Sequence, residues 1–290
     1  MPLSDNVDIM SSPLPGGASA PLSDPLVPPD LRGWLDRVVG VVRRSLVPLL
    51  MIQIAVALVT GVVSYLVLRT VAPVPGRPLA IEPTPAPRGP SDPAGVAPLS
   101  GLDGFTAFVG LVVMIAVAVL AQGTAMYVSV RDAAGQRVDS AEALRFALQR
   151  APALLGWGLV AGALTMLGLL MLIVPGVYFA VVFGATLTGV VTVERAGIQR
   201  CFALVNRRLG PTFARMGLAL LVAVAYSLVS DFVVHALSTT GSFQEALLQA
   251  VMSVPLGVAA VGVLVVTYAE LRFHETGSVL TDTLAAELNR

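Results

Sequence analysis

The chain has no lysine, one cysteine and two histidines, and only 12% of its 290 residues are charged. A soluble domain carries roughly 25% charged residues, so an ordinary water-exposed surface is excluded. Cys201 is the single thiol, which rules out an internal disulfide. The Gly-x-x-x-x-Gly-Lys-Ser/Thr loop, the His-Glu-x-x-His pair and the serine nucleophile elbow are all missing. No catalytic set, metal site or cofactor is therefore expected, and a non-enzymatic protein is the reading. The arginines follow the ends of apolar runs and are not interleaved with aromatics, so nucleic-acid binding has no support. The first 30 residues are acidic and proline-rich and lack an apolar core, so no cleavable signal peptide is expected there.

What is present is apolar length. Six runs, Ser45 to Val71, Phe105 to Val130, Leu154 to Val174, Val177 to Val193, Met216 to Leu237 and Leu247 to Tyr268, approach or exceed the roughly 20 residues that cross hydrocarbon as a helix. Near their middles they hold no arginine and one acid, Asp231. In lipid each segment must satisfy its own backbone, and barrel strands would alternate in polarity, so the runs predict helices. The fold class expected is all-α, a polytopic bundle of six transmembrane helices with added interfacial amphipathic helices. The fourth run is the shortest and follows Pro175-Gly176 directly. That pair is read as a structural turn, a tight outer hairpin in preference to a re-entrant kink.

Arginine placement sets the expected orientation. With the N-terminus in the cytoplasm, only Arg69, Arg77 and Arg88 of the 18 basic residues lie outside, as the positive-inside rule favours. Both ends are then cytoplasmic. All-arginine basic usage with abundant Ala, Val, Gly and Pro points to a GC-rich bacterial genome of actinobacterial type, and hence to a bacterial inner membrane. Residues 1–30 read as a disordered, proline-rich cytoplasmic tail. Residues 31–277 read as the membrane domain, with a proline-rich external loop over 72–103, and 278–290 as a short cytoplasmic tail.

Three amphipathic stretches sit on the inner side. Leu31 to Arg44 carries Trp34, Leu35, Val38, Val39 and Val42 on one face, the pattern of a helix in the headgroup layer. Asp139 and Glu142 form a capping box for a helix through Arg150. The third runs from Ile198 to Leu209. Phe146-Ala147-Leu148-Gln149-Arg150 matches Phe202-Ala203-Leu204-Val205-Asn206-Arg207 well enough to raise a parallel internal repeat, against which stands chance similarity between two Ala/Leu/Arg helices.

Ile173-Val174-Pro175-Gly176-Val177-Tyr178, then Glu194, Gly197, Arg200, Cys201, Leu204 and Val205, and finally Tyr268-Ala269-Glu270-Leu271-Arg272 with Glu275 and Gly277, carry a family resemblance. Over roughly residues 105–277 the chain resembles the bacterial family known as the glycerophosphoryl diester phosphodiesterase membrane domain. It departs from that family's pattern at Cys201, Arg207 and Glu270, where Ser, Gly and Asp are usual. The resemblance implies a membrane architecture and no reaction. Phosphodiesterases of that kind need a metal, paired carboxylates and two histidines around the phosphate, whereas His235 and His274 lie in or beside different spans.

Several residues stand as candidates. Asp231 and His235 lie at i and i+4 and share a face, where they could pair within the membrane or anchor at the outer interface. Asp231 with Gln122 would line the cavity of a small permease, the alternative to a membrane-organising or complex-assembly protein. Gly158 and Gly162 form a small-residue helix-packing surface, for contact within the chain or between copies. Pro255 is expected to bend the sixth span. Arg195, Arg200, Arg207, Arg208 and Arg215 are candidate contacts for anionic lipid headgroups, though topology alone also accounts for them. Glu194 is expected to pair with neighbouring arginines. The partners expected are the bilayer and either a second copy or another membrane protein.

Overall fold

The computed structural model describes residues 24–71, 101–240, 242–277 and 279–288. Most of the expected external loop, the first 23 residues and the last two lie outside them. The described residues form α1 (Leu31–Arg44), α2 (Leu46–Val71), α3 (Gly101–Ala133), α4 (Ser140–Met171), α5 (Ile173–Gly189), α6 (Ile198–Asn206), α7 (Leu209–Leu237), α8 (Phe243–Thr276) and α9 (Thr281–Leu288), with a π turn, Val190–Glu194, continuing α5. No strand occurs among them. Six helices are long and apolar enough to cross a membrane: α2, α3, α4, α5 with its π turn, α7 and α8. The protein is an all-α, multi-pass membrane bundle.

Burial separates centre from periphery. In the most apolar stretches of α5 and α8, 56% and 44% of residues are enclosed by protein, against 11–17% in α2, α3, α4 and α7. The four outer helices present apolar side chains all round, as helices facing lipid do. Leu170, Met171, Leu172, Ile173 and Val174, at the tip joining α4 to α5, are all exposed. Leu172 is the only non-helical residue between them, extended at φ −160° and ψ 139°. Pro175 falls in the first turn of α5, where a missing N–H costs nothing. A Cβ on Gly168 would sit 2.9 Å from the Gly176 backbone, so the two helices touch directly. The Pro175-Gly176 pair thus opens a tight hairpin and makes no re-entrant break. α8 continues without interruption through Pro255.

The main core lies at the arginine-rich end. Trp34, Val130, Leu204, Val265, Tyr268 and Leu284 are among its buried members. Here four expectations change. Amphipathic α1 is not simply a headgroup helix: Trp34, Val38 and Val41 are buried, the indole donates to Thr267 of α8 at 3.1 Å, and Leu35 and Val39 stay exposed. Residues 24–30 do not behave as a free tail. Asp24 accepts from the Leu26 and Val27 amides and from the N–H and hydroxyl of Thr281, capping α9 from the far end of the chain. Residues 281–288 are helix rather than tail, with Leu284, Ala285 and Leu288 buried. The capping box at 139–142 is only half made. Asp139 accepts from the Ala141 amide, but the Glu142 carboxylate turns to Tyr127 and Arg131, and the helix runs unbroken through Pro152 into the span.

Three helices leave the bundle at this end in the same way. The described residues with positive φ are Gly135, Arg195 and Gly277, at 68°, 55° and 69°. Each follows a descending helix, α3, α5 with its π turn, or α8, and each precedes a new helix, α4, α6 or α9. The recurrence lies in the turn, since α9 is followed by no span among the described residues and lacks the Phe-Ala-Leu sequence of the other two stretches.

Candidate functional site

The site begins at the π turn. One extra residue per turn in Val190–Glu194, a feature often found at functional positions, is followed by Arg195 in the left-handed region that non-glycine residues rarely occupy. The turn delivers Glu194 into the protein. Its Oε1 accepts from the Tyr268 hydroxyl at 3.0 Å, and its Oε2 faces Arg200 Nε at 2.5 Å and Arg272 Nη1 at 3.0 Å. Arg200 spreads its remaining donors over both oxygens of Glu275, the two-pronged geometry that suits guanidinium and carboxylate. Arg272 reaches Glu287 of α9 at 2.8 Å. One chain of charge-assisted bonds therefore ties α5, α6, α8 and α9 together. The Glu275 carboxylate, seconded by Glu194, raises the Arg200 guanidinium above its ordinary value.

A second centre lies beside it on α8. Glu270 is 1% exposed and its Oε1 accepts from Arg215 of α7, with Arg208 at 3.6 Å and His274 at 3.8 Å. Among the described residues its Oε2, and Arg272 Nε, have no hydrogen-bond partner. A third centre joins α3 to α4. Arg131 and the Tyr127 hydroxyl share Glu142, each at 2.7 Å, while Ser45 donates to Asp132 at 2.6 Å.

Local sequence explains why these groups can meet. Tyr268 lies flat on Gly189, where a Cβ would stand 2.6 Å from the ring Cδ1, so glycine is what lets α5 and α8 approach. Cys201 is fully buried on α6, and burial pushes its thiol up, leaving it a poor nucleophile.

The predicted residues divide. Glu194 pairs with Arg200 as expected. Arg200 and Arg215 of the headgroup set turn inward to Glu194, Glu275 and Glu270, while the Arg207 side chain stays exposed and that of Arg208 partly so, 3.7 Å from Glu275 and 3.6 Å from Glu270. Arg195 is exposed and has no ion pair among the described residues. Asp231 and His235 do not pair through their side chains. His235 Nδ1 lies 2.8 Å from the Asp231 backbone oxygen, within reach one turn along a helix, while Asp231 Oδ1 accepts from Gln249. Gln122 instead accepts from Thr188 of α5, so Gln122 and Asp231 have separate partners, and both side chains are exposed. The intrachain contact considered for Gly158 and Gly162 is not made, since a Cβ at either position would meet nothing within 4 Å. Close approach uses Gly168, Gly176 and Gly189 instead.

Sequence reading did not identify Tyr268, Arg272, Glu275 and Glu287 as one cluster with Glu194, nor Glu270 as the partner of Arg215. The available signal was the four acids between 270 and 287, Glu270, Glu275, Asp282 and Glu287, a dense run for a chain with 18 in 290 residues. Among the described residues no three His, Cys, Asp or Glu side chains group as metal ligands would. Comparison with protein-family models, with curated proteins and with solved structures gives no match.

Proposed function

We propose that the chain is a non-enzymatic component of a bacterial inner membrane, with both ends cytoplasmic, that serves as a membrane-organising or complex-assembly scaffold. The observation that carries this reading is the concentration of buried ion pairs and caps at one end of the bundle. Glu194, Arg200, Arg272, Glu275 and Glu287 fix four helices relative to one another, which suits a rigid platform at the membrane surface. The arginines at this end support a cytoplasmic side for it under the positive-inside rule. Kinship with the phosphodiesterase membrane-domain family is part of the proposal, supported by the meeting of Glu194, Arg200, Tyr268, Arg272 and Glu275, the residues that carry the resemblance, in one network.

The permease alternative predicts conduction through Asp231. In proteoliposomes loaded with a pH-sensitive dye, the scaffold reading expects proton leakage equal to that of empty vesicles and unchanged by Asp231→Asn. A leak that appears with the protein and vanishes in Asp231→Asn would replace it with the permease.

A further inference from the structure

We propose that a furrow between α2 and α8 holds one acyl chain of an anionic phospholipid whose phosphate rests on Arg69, in the leaflet remote from the tied end of the bundle. The two helices pack antiparallel, with Gln53 beside Gly257, Gly61 beside Ala250 and the Tyr65 ring 5.2 Å from that of Phe243. Small residues set the approach: a Cβ on Gly61 would stand 3.0 Å from that of Ala250. Ala57, Ala250 and Val254 are buried along this contact, while the larger Ile54, Leu58, Leu247 and Val251 stand exposed to either side. Short side chains below long ones leave a furrow of about 400 Å³, with Pro255 in its wall and no polar side chain lining it.

Position decides what the furrow can hold. It opens onto the apolar surface that α2 turns to lipid, where Val62 and Leu66 are also exposed, so its filler is hydrocarbon. Its wall continues along α2 at helical spacing: Leu58, Val62, Tyr65 and Arg69 recur every three or four residues and share one face. The Arg69 guanidinium lies over the Tyr65 ring, 5.4 Å from its centroid, which keeps the cation on the furrow's own stripe. From Leu58 to Arg69 the helix rises about 16 Å, and half the hydrocarbon thickness is about 15 Å. One lipid spans that distance, its phosphate against the cation at headgroup level and its chain ending in the furrow near the bilayer middle. An apolar partner helix would fill the furrow but give no use to a cation one leaflet away. Which leaflet this is rests on the orientation proposed above; the furrow and Arg69 do not, so an inverted topology or flux through Asp231 would leave the site standing.

The test is native mass spectrometry of the detergent-purified full chain titrated with phosphatidylglycerol or with diacylglycerol of the same chains, which lacks the phosphate. Wild type should retain phosphatidylglycerol about fivefold better, and Arg69→Ala should abolish that preference while diacylglycerol still binds. Val251→Trp, which fills the furrow from its rim, should weaken both lipids about tenfold. Leu58→Trp does the same from the opposite wall, so the test survives a folding failure of either variant. Val222→Trp, on the exposed face of α7, should change nothing. Retention by both furrow variants equal to that of wild type would overturn the chain site. A preference for phosphatidylglycerol that persists in Arg69→Ala would overturn the phosphate assignment.

Discussion

Arg215→Met is expected to lower the unfolding free energy of the detergent-solubilised protein by about 3–5 kcal/mol, because it strands a buried carboxylate. Glu270 is 1% exposed and Arg215 8%, so neither charge has water to fall back on. Arg208, at 3.6 Å, is too distant for a good hydrogen bond, and its side chain is 39% exposed, so it offsets the loss only in part. The same reasoning predicts a rescue. Buried ion pairs often contribute little beyond an apolar pair of similar volume, so Arg215→Met with Glu270→Leu should recover most of the loss. Equilibrium unfolding of the two single variants and the double gives the coupling directly. A single Arg215→Met variant within about 0.5 kcal/mol of wild type would mean that Glu270 is already neutral or hydrated.

Gly189→Ala is expected to cost about 1–3 kcal/mol, the usual penalty for overfilling a packed interior. The added methyl would meet the Tyr268 ring, which is 1% exposed and held by its hydroxyl bond to Glu194 at 3.0 Å. The ring cannot move aside without breaking that bond, so the damage should spread to the Glu194 network. In a Tyr268→Leu background the same methyl has room. Gly189→Ala should then cost clearly less, and equal costs in both backgrounds would show that the ring is not what requires glycine.

How much of this was legible depends on the range over which each interaction acts. The spans, their number and the Pro175 hairpin follow from hydropathy and from one proline, all local signals. The Glu194–Arg200 pair spans six residues and was also within reach. The face that each span turns inward was not, because lipid and protein interior are equally apolar and a membrane helix need not be amphipathic. Gly158 and Gly162 illustrate the difficulty: their spacing suits helix contact, yet both stay open while Gly168 and Gly189 make the contacts. Arg215 with Glu270, and Asp24 with Thr281, join residues 55 and 257 positions apart. No pattern along the chain marks such pairs. The inner arginines show the cost of reading charge without its partners, since the positive-inside rule assigns them a side of the membrane but says nothing of the carboxylates that Arg131, Arg200, Arg215 and Arg272 grip.

The central claim is a six-span bundle whose charged, tied end faces the cytoplasm. Fusions of alkaline phosphatase and of a fluorescent protein at Ser91, Asn206 and Arg290 test it most directly. The account predicts phosphatase activity at Ser91 and fluorescence at Asn206 and Arg290; fluorescence at Ser91, or phosphatase activity at Asn206, would contradict it.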